Sequence, residues 1–208
     1  MKRTEHIIIN VGRQIGSGGH IVAKQLAEYF GCSFYDCEIL NLAAKESGFC
    51  KEFFEENDEH KNFMKSLFHV RIPFVSDANF YKNDFSQESL FRLQSNAIRK
   101  AAETESCVFV GRCADYILRD FKNVFNVFVT ADMDDRIKAV AERKGCPAEV
   151  ARKIIMDGES RRSSYYNFYT GKRWGYSESY DLCINTSRLG IDGTSQFIIQ
   201  YIEKIIGK

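Results

Sequence analysis

Apolar residues follow two rhythms along this chain. From His6 to Val11 they run almost unbroken and stop at Gly12, the pattern of a short buried strand. From His20 to Phe30 the residues Val22, Leu26 and Phe30 recur every four positions, which predicts a helix stopped by Gly31. Ser33 to Tyr35 predicts a second short strand with Asp36 at its carboxyl end, where it also suits the N-cap of a helix through Ala44. Ser86 to Glu105 predicts a long helix with Leu90, Leu93 and Ala97 on one face. Cys107 to Val110 and Val124 to Thr130 read as buried strands. The first ends in Gly111-Arg112; the second leads to Asp132, an N-cap for a helix to Lys144. Pro147 fits the first turn of a further helix to about Glu159. Leu182 to Asn185 predicts a last strand and Thr194 to Ile206 a closing helix. Strands alternate with helices throughout, so the expected fold class is α/β, a parallel sheet with helices on both faces.

Two stretches depart from this alternation. The segment 48–85 is rich in phenylalanine (Phe49, Phe53, Phe54, Phe63, Phe68, Phe74, Phe80, Phe85) and carries an acidic run from Glu52 to Glu59. It predicts a helical insertion that packs partly on the core and partly over a cleft, with its phenylalanines serving the core or a homodimer face. Arg161 to Ser179 is polar, aromatic and basic, contains Gly171 and Gly175, and reads as a loop or lid. The expected organisation is one domain, with a core of 1–47, 86–159 and 180–208, an insertion at 48–85 and a lid at 160–179.

Composition narrows the function classes. The 208 residues are 44% hydrophobic and 27% charged, which suits one globular domain and excludes a disordered or collagen-like chain. A formal charge of +1 leaves no extended nucleic-acid-binding face, and the basic, aromatic lid segment is too short to make one. The 7 cysteines include no CxxC pair and the 4 histidines no zinc spacing, which points to reduced thiols in the cytoplasm. No apolar run reaches the length of a signal peptide core or a membrane span, so no membrane role is expected.

The stretch from Gly12 to Ile21 carries most of the chemistry. Glycines let successive N–H groups turn into one concavity that suits an anion, and the helix that follows adds its N-terminal partial charge. The strict patterns are not met. Against GxxxxGK[ST], the lysine and hydroxyl places are read as Gly19 and Ile21; against GxGxxG, Gly16-x-Gly18 is followed by Ile21. Taken alone, a tight strand-to-helix turn is the competing reading.

Six pieces in order change the balance: GRQIGSGGHIVAKQLAEYFG, SFYDCEIL, CVFVGRCADYILRD, VFVTADMDDRIKAV, ESRRSSYYNFYTGKRWG and YDLCINTSRLG. Together they resemble the cytidylate kinase-like family, a branch of the P-loop nucleoside monophosphate kinases, over nearly the whole chain apart from about 48–90. The resemblance implies a three-layer P-loop kinase-like fold with a helical substrate-binding insertion and a lid. It implies ATP and Mg²⁺ as cofactors, and a nucleotide and a small acceptor such as CMP or dCMP as partners. Gly16, Ser17, Gly18, Gly19, His20 and Ile21 match the phosphate-cradling loop. Arg112 matches the GR motif that helps hold substrate, Asp36 the acidic acceptor-side position, and Arg161 and Arg162 the lid arginines that close over phosphates.

The chain also departs from the family. The lysine and the hydroxyl are missing, GRD becomes Gly111-Arg112-Cys113 with Asp115 nearby, and Leu42 stands where an arginine is expected. Arg13, His20 or Lys24 could replace the lost lysine. Asp36 would act as general base toward a hydroxyl acceptor, whereas a phosphate acceptor needs none. Three other readings stay open: a kinase for another small metabolite, a nucleotide sensor without turnover, and a structural partner using the Phe-rich segment.

Overall fold

A computed structural model describes residues 6–36 and 84–207. The expected helix from Asp36 through Ala44 and the insertion at 48–85 therefore fall largely outside the described residues. Five strands, β1 (Ile8–Arg13), β2 (Ser33–Tyr35), β3 (Cys107–Val110), β4 (Val124–Thr130) and β5 (Leu182–Asn185), form one sheet in the order β2-β3-β1-β4-β5. Every pairing is parallel, with Ile9 opposite both Val108 and Phe125.

The helices are α1 (Gly19–Phe30), α2 (Asp84–Thr104), α3 (Ala114–Ile117), α4 (Met133–Lys144), α5 (Ala148–Thr170) and α6 (Thr186–Ile206). Side chains alternate across a strand, so Ile9 and Val11 face one side and Ile8 the other. On the first side they pack with Val22, Ala23 and Leu26 of α1 and Ile198 and Ile202 of α6. On the second, Ile8, Cys107 and Phe109 meet Ile98 of α2, Ala114 and Ile117 of α3, and Tyr166 of α5. The result is the expected three-layer α/β arrangement. A satellite cluster of Ile137, Val140, Ala151 and Ile155 joins α4 to α5. Among the described residues no helix is long and apolar enough to cross a membrane.

Four boundaries differ from the sequence reading. β1 continues through Gly12 and Arg13, because a glycine at 12 lets the strand pass beneath Phe128; a β-carbon there would lie 2.6 Å from Phe128 Cδ2. Residues 161–170, expected as part of a loop or lid, belong to α5. The buried stripe Ala151, Ile155, Gly158 runs on to Tyr166 and Thr170, and the helix stops only at Gly171 in the left-handed region. The irregular segment shrinks to 171–181, with a short 3₁₀ turn at Ser177–Ser179. α6 starts at Thr186, not Thr194, and kinks at Gly190 (φ 68, ψ 175). Pro147 takes the N-cap of α5. Asp132 holds the N-cap position of α4, but its side chain makes no capping bond and accepts from Asn185 Nδ2 at 2.8 Å.

At the edge of the sheet Glu105 fastens β2. Its carboxylate accepts from the hydroxyls of Ser33 and of Tyr35, the latter at 2.7 Å. Those bonds hold its pKa below the ordinary 4.5. A carboxyl lowered by folding contributes stability above its unfolded pKa and loses it as pH falls through the folded one. The melting temperature should therefore fall on acidification below 4.5, and Glu105→Gln should flatten that arm of the profile. An unchanged acid arm in the variant would exclude Glu105 as its source.

Candidate active site

β1 leads into α1 on one face of the sheet, and β3 leads into α3 on the other. Adjacent strands whose connections part in this way open a crevice outside their carboxyl ends. The phosphate-loop candidate lies there, between Arg13 and the start of α1. Gly16 (φ 84) and Gly18 (φ 73) are left-handed, the alternation that turns N–H groups inward. Ser17 is buried; its hydroxyl donates to Gln14 O at 2.9 Å and accepts from Gly19 N–H at 3.4 Å. Thr186 Oγ1 stands 2.9 Å from Ser17 O and 3.1 Å from Thr130 O, tying the loop to β4 and α6. The concavity and the N-terminus of the twelve-residue α1 coincide, which suits phosphate.

α5 braces this loop. Ile15 N–H donates to Glu159 Oε1 at 3.1 Å, and the same oxygen receives Arg136 Nη1 at 2.6 Å. Arg136 is only 4% exposed, and its backbone sits directly under Gly16. Arg162 Nη1 donates to Arg13 O at 3.1 Å. Gly158 lacks the β-carbon that would meet Ile15, so helix and loop approach closely. The Arg136–Glu159 brace escaped sequence reasoning, although both residues lie in the quoted pieces. Its one signal is a charged residue, Arg136, on the buried face of α4 beside Ile137 and Val140.

The sequence-predicted cations sort by position. Arg13, Arg112 and Arg162 gather around the carboxyl ends of β1 and β3. Arg13 carries its guanidinium over Gly111, where a β-carbon would stand. Arg112 and Cys113 are left-handed without being glycine (φ 57 and φ 58), backbone strain of about 1–3 kcal/mol each that tends to persist at functional sites. This turn sets the Arg112 guanidinium 5.7 Å from the Tyr165 ring centre, in a wall where Phe91 stacks on Tyr169 at 4.0 Å. Burial raises the Tyr165 phenol pKa, and the Arg112 charge opposes that rise. Arg161 is exposed on α5, near the notch at Gly158. Asp36 Oδ2 lies 3.4 Å from His20 Nε2, so the carboxylate expected on the acceptor side and the start of α1 are brought together.

Two groups beside Arg112 are taken up by packing. Asp115 is buried, accepts from Tyr166 OH at 2.6 Å and has Lys172 Nζ 3.8 Å away. Burial pushes its carboxyl pKa up, against those two partners. It ties α3 to α5 and does not fill the acidic place after Arg112. Cys113 is buried and its thiol is pushed up to about 12 by burial, so it is an inert packing group. Of the aromatics between 168 and 180, Trp174 and Tyr180 pack on Phe128, while Phe168 is exposed.

A resident magnesium site does not fit these side chains. Counted strictly, the pattern's hydroxyl follows the lysine directly, which places His20, not Ile21, at that position. Neither residue offers a hydroxyl. Among the described residues no three His, Cys, Asp or Glu groups come together as a metal set.

Comparison with known proteins extends these observations. A model described as "Cytidylate kinase-like family" matches residues 8–188. The chain is 25% identical to a cytidylate kinase of Methanopyrus kandleri over 209 aligned residues, covering 96% of this chain and 95% of that one. It is 26% identical to a cytidylate kinase of Thermococcus sibiricus, covering 96% and 89%. Among solved structures, an uncharacterized protein from Eubacterium ventriosum superposes with a TM-score of 0.73 at 33% identity, covering 95% of this chain and 99% of the other. A shikimate kinase from Bacteroides thetaiotaomicron has a TM-score of 0.53 at 15% identity, covering 95% and 98%, and shares the fold.

Proposed function

The chain belongs to the cytidylate kinase-like family, and from that premise we propose that it transfers the terminal phosphoryl group of ATP to a small acceptor, a nucleoside monophosphate such as CMP or dCMP. The observation that carries this reading is the left-handed glycine loop at Gly16 and Gly18, set at the head of α1 and beside Arg112 and Arg162. Phosphoryl transfer is mainly positioning and neutralisation of spread negative charge, and this arrangement supplies both.

In the proposed reaction the loop N–H groups of Gly16 to His20 hold the donor phosphates. Arg112, fixed against Tyr165, holds the acceptor's anionic group. Arg161 and Arg162 reach the donor from α5. An acceptor oxygen attacks the γ-phosphorus, the bond to the β–γ bridging oxygen breaks, and ADP departs. Magnesium enters as part of the ATP complex, as substrate, in the cytoplasm where ATP is abundant. Supporting this reading are the curated relatives named cytidylate kinase at 25% and 26% identity.

Asp36 separates the acceptor classes. A nucleotide phosphate arrives deprotonated and needs no base, so Asp36→Asn is expected to change kcat by less than about tenfold with CMP. With a hydroxyl acceptor the same variant should lose about 10²-fold or more. The test is ADP release from MgATP against nucleoside monophosphates, nucleosides and common metabolites, with melting shifts on the same samples. Release with CMP or dCMP supports the proposal; release only with another acceptor replaces the substrate and keeps the kinase. The loss of lysine and hydroxyl favours a second reading, a nucleotide sensor, whose signature is a melting shift without turnover.

A further inference from the structure

We propose that the glycine and the cation of the phosphate loop have exchanged places: Arg13 supplies, from the end of β1, the positive charge that GxxxxGK puts at the head of the helix, and Gly19 supplies the space. The inference rests on the nucleotide-binding reading above. Aligned on the pattern, Arg13 stands at the first glycine, Gly18 at the second and Gly19 at the lysine. The two departures are thus reciprocal.

The backbone makes them mutually dependent. A β-carbon on Gly19 would lie 2.5 Å from Arg13 Cβ and 3.2 Å from its Cγ, with Val129 Cβ at 3.1 Å on another side. Two real β-carbons do not approach so closely, so only one of the two positions can carry a side chain. In this chain it is residue 13.

The neighbours direct that side chain to the crevice. Gly111 has no β-carbon where Arg13 Nη1 passes, so the guanidinium extends across the end of β3 toward the Arg112 turn. Arg162 Nη1 holds the Arg13 carbonyl at 3.1 Å, and β4 pairs Arg13 with Val129. The cation is therefore anchored on a central strand. Arginine stays charged throughout the accessible pH range, and its fork can bond two phosphate oxygens at once. The other candidates are less well placed. His20 turns to Asp36 and to Phe34, and Lys24 is exposed farther along α1.

Calorimetric titration of ATP and ADP into the intact protein tests this, with circular dichroism melts confirming that each variant folds. Wild type, Arg13→Gly, Gly19→Lys and the double variant Arg13→Gly/Gly19→Lys form the main set. Loss of a charge-assisted phosphate contact should weaken Arg13→Gly by about 10- to 100-fold. Gly19→Lys alone should weaken binding too, since Arg13 occupies its space. The double variant should recover to within a few-fold of wild type. Arg13→Gln, which keeps the stem, guards against a folding defect in the double variant, and should fall as Arg13→Gly does. Wild-type affinity in Arg13→Gln or Arg13→Gly overturns the exchange, as does a folded double variant no better than Arg13→Gly. If the wild type itself binds neither nucleotide, the nucleotide reading fails and the exchange falls with it.

Discussion

Gly16→Ala is expected to lower ATP affinity by about 10²-fold and to leave almost no turnover, the loop having lost its shape rather than a contact. Two costs combine. Gly16 sits at φ +84, where an L side chain is strained by about 1–2 kcal/mol. A β-carbon would also stand 2.7 Å from the Arg136 carbonyl oxygen and 2.9 Å from its Cα. Those are backbone atoms of α4, so the loop must move, and its inward N–H groups move with it. Gly145→Ala is the control. Gly145 is likewise left-handed (φ 63), but none of the described residues lies within 4 Å of its β-position. It should cost about 1 kcal/mol of stability and leave nucleotide affinity unchanged. Equal effects at both positions would show that conformational strain, and not the loop's seat on α4, limits binding.

Glu159→Leu should produce the larger loss of stability, about 3–5 kcal/mol by urea denaturation, or roughly 10 °C in melting temperature. Glu159 answers the charge of Arg136, which is almost fully buried and whose Nε has no hydrogen-bond partner among the described residues. Removing the carboxylate leaves that cation uncompensated and also strips the acceptor from Ile15 N–H. Glu159→Gln keeps an acceptor for Ile15 but not the charge, and should fall between wild type and the leucine variant. A leucine variant as stable as wild type would mean that the pair is not a structural brace. Since the same carboxylate fixes one end of the glycine loop, nucleotide affinity should drop in parallel with stability across this series.

Much of this architecture was legible along the chain because it depends on near neighbours. The runs at Cys107–Val110 and Leu182–Asn185 are strands in the structure, and Phe30 ends its helix at Gly31 as the spacing predicted. The glycine loop, too, declares itself locally, since left-handed residues at Gly16 and Gly18 need no distant partner to be recognised. The misreading of 161–170 has the opposite cause. Its arginines, serines and tyrosines look like loop, but Tyr166 bonds Asp115 and Thr170 is buried, so contacts from distant elements carry the helix onward.

Periodicity, glycine placement and motif order are properties of neighbouring residues, so the strand and helix alternation, the glycine turn into α1 and the family were readable from the chain alone. Packing between distant elements decided which charges lie at that turn. It put Glu159 on Ile15 and Arg136, buried Asp115 against Tyr166, and left room for one side chain, that of Arg13, where Arg13 and Gly19 meet. The physical reason is that burial, and the exclusion of one β-carbon by another, arise between residues far apart in sequence or across a turn, and no local pattern records a distance that only packing sets.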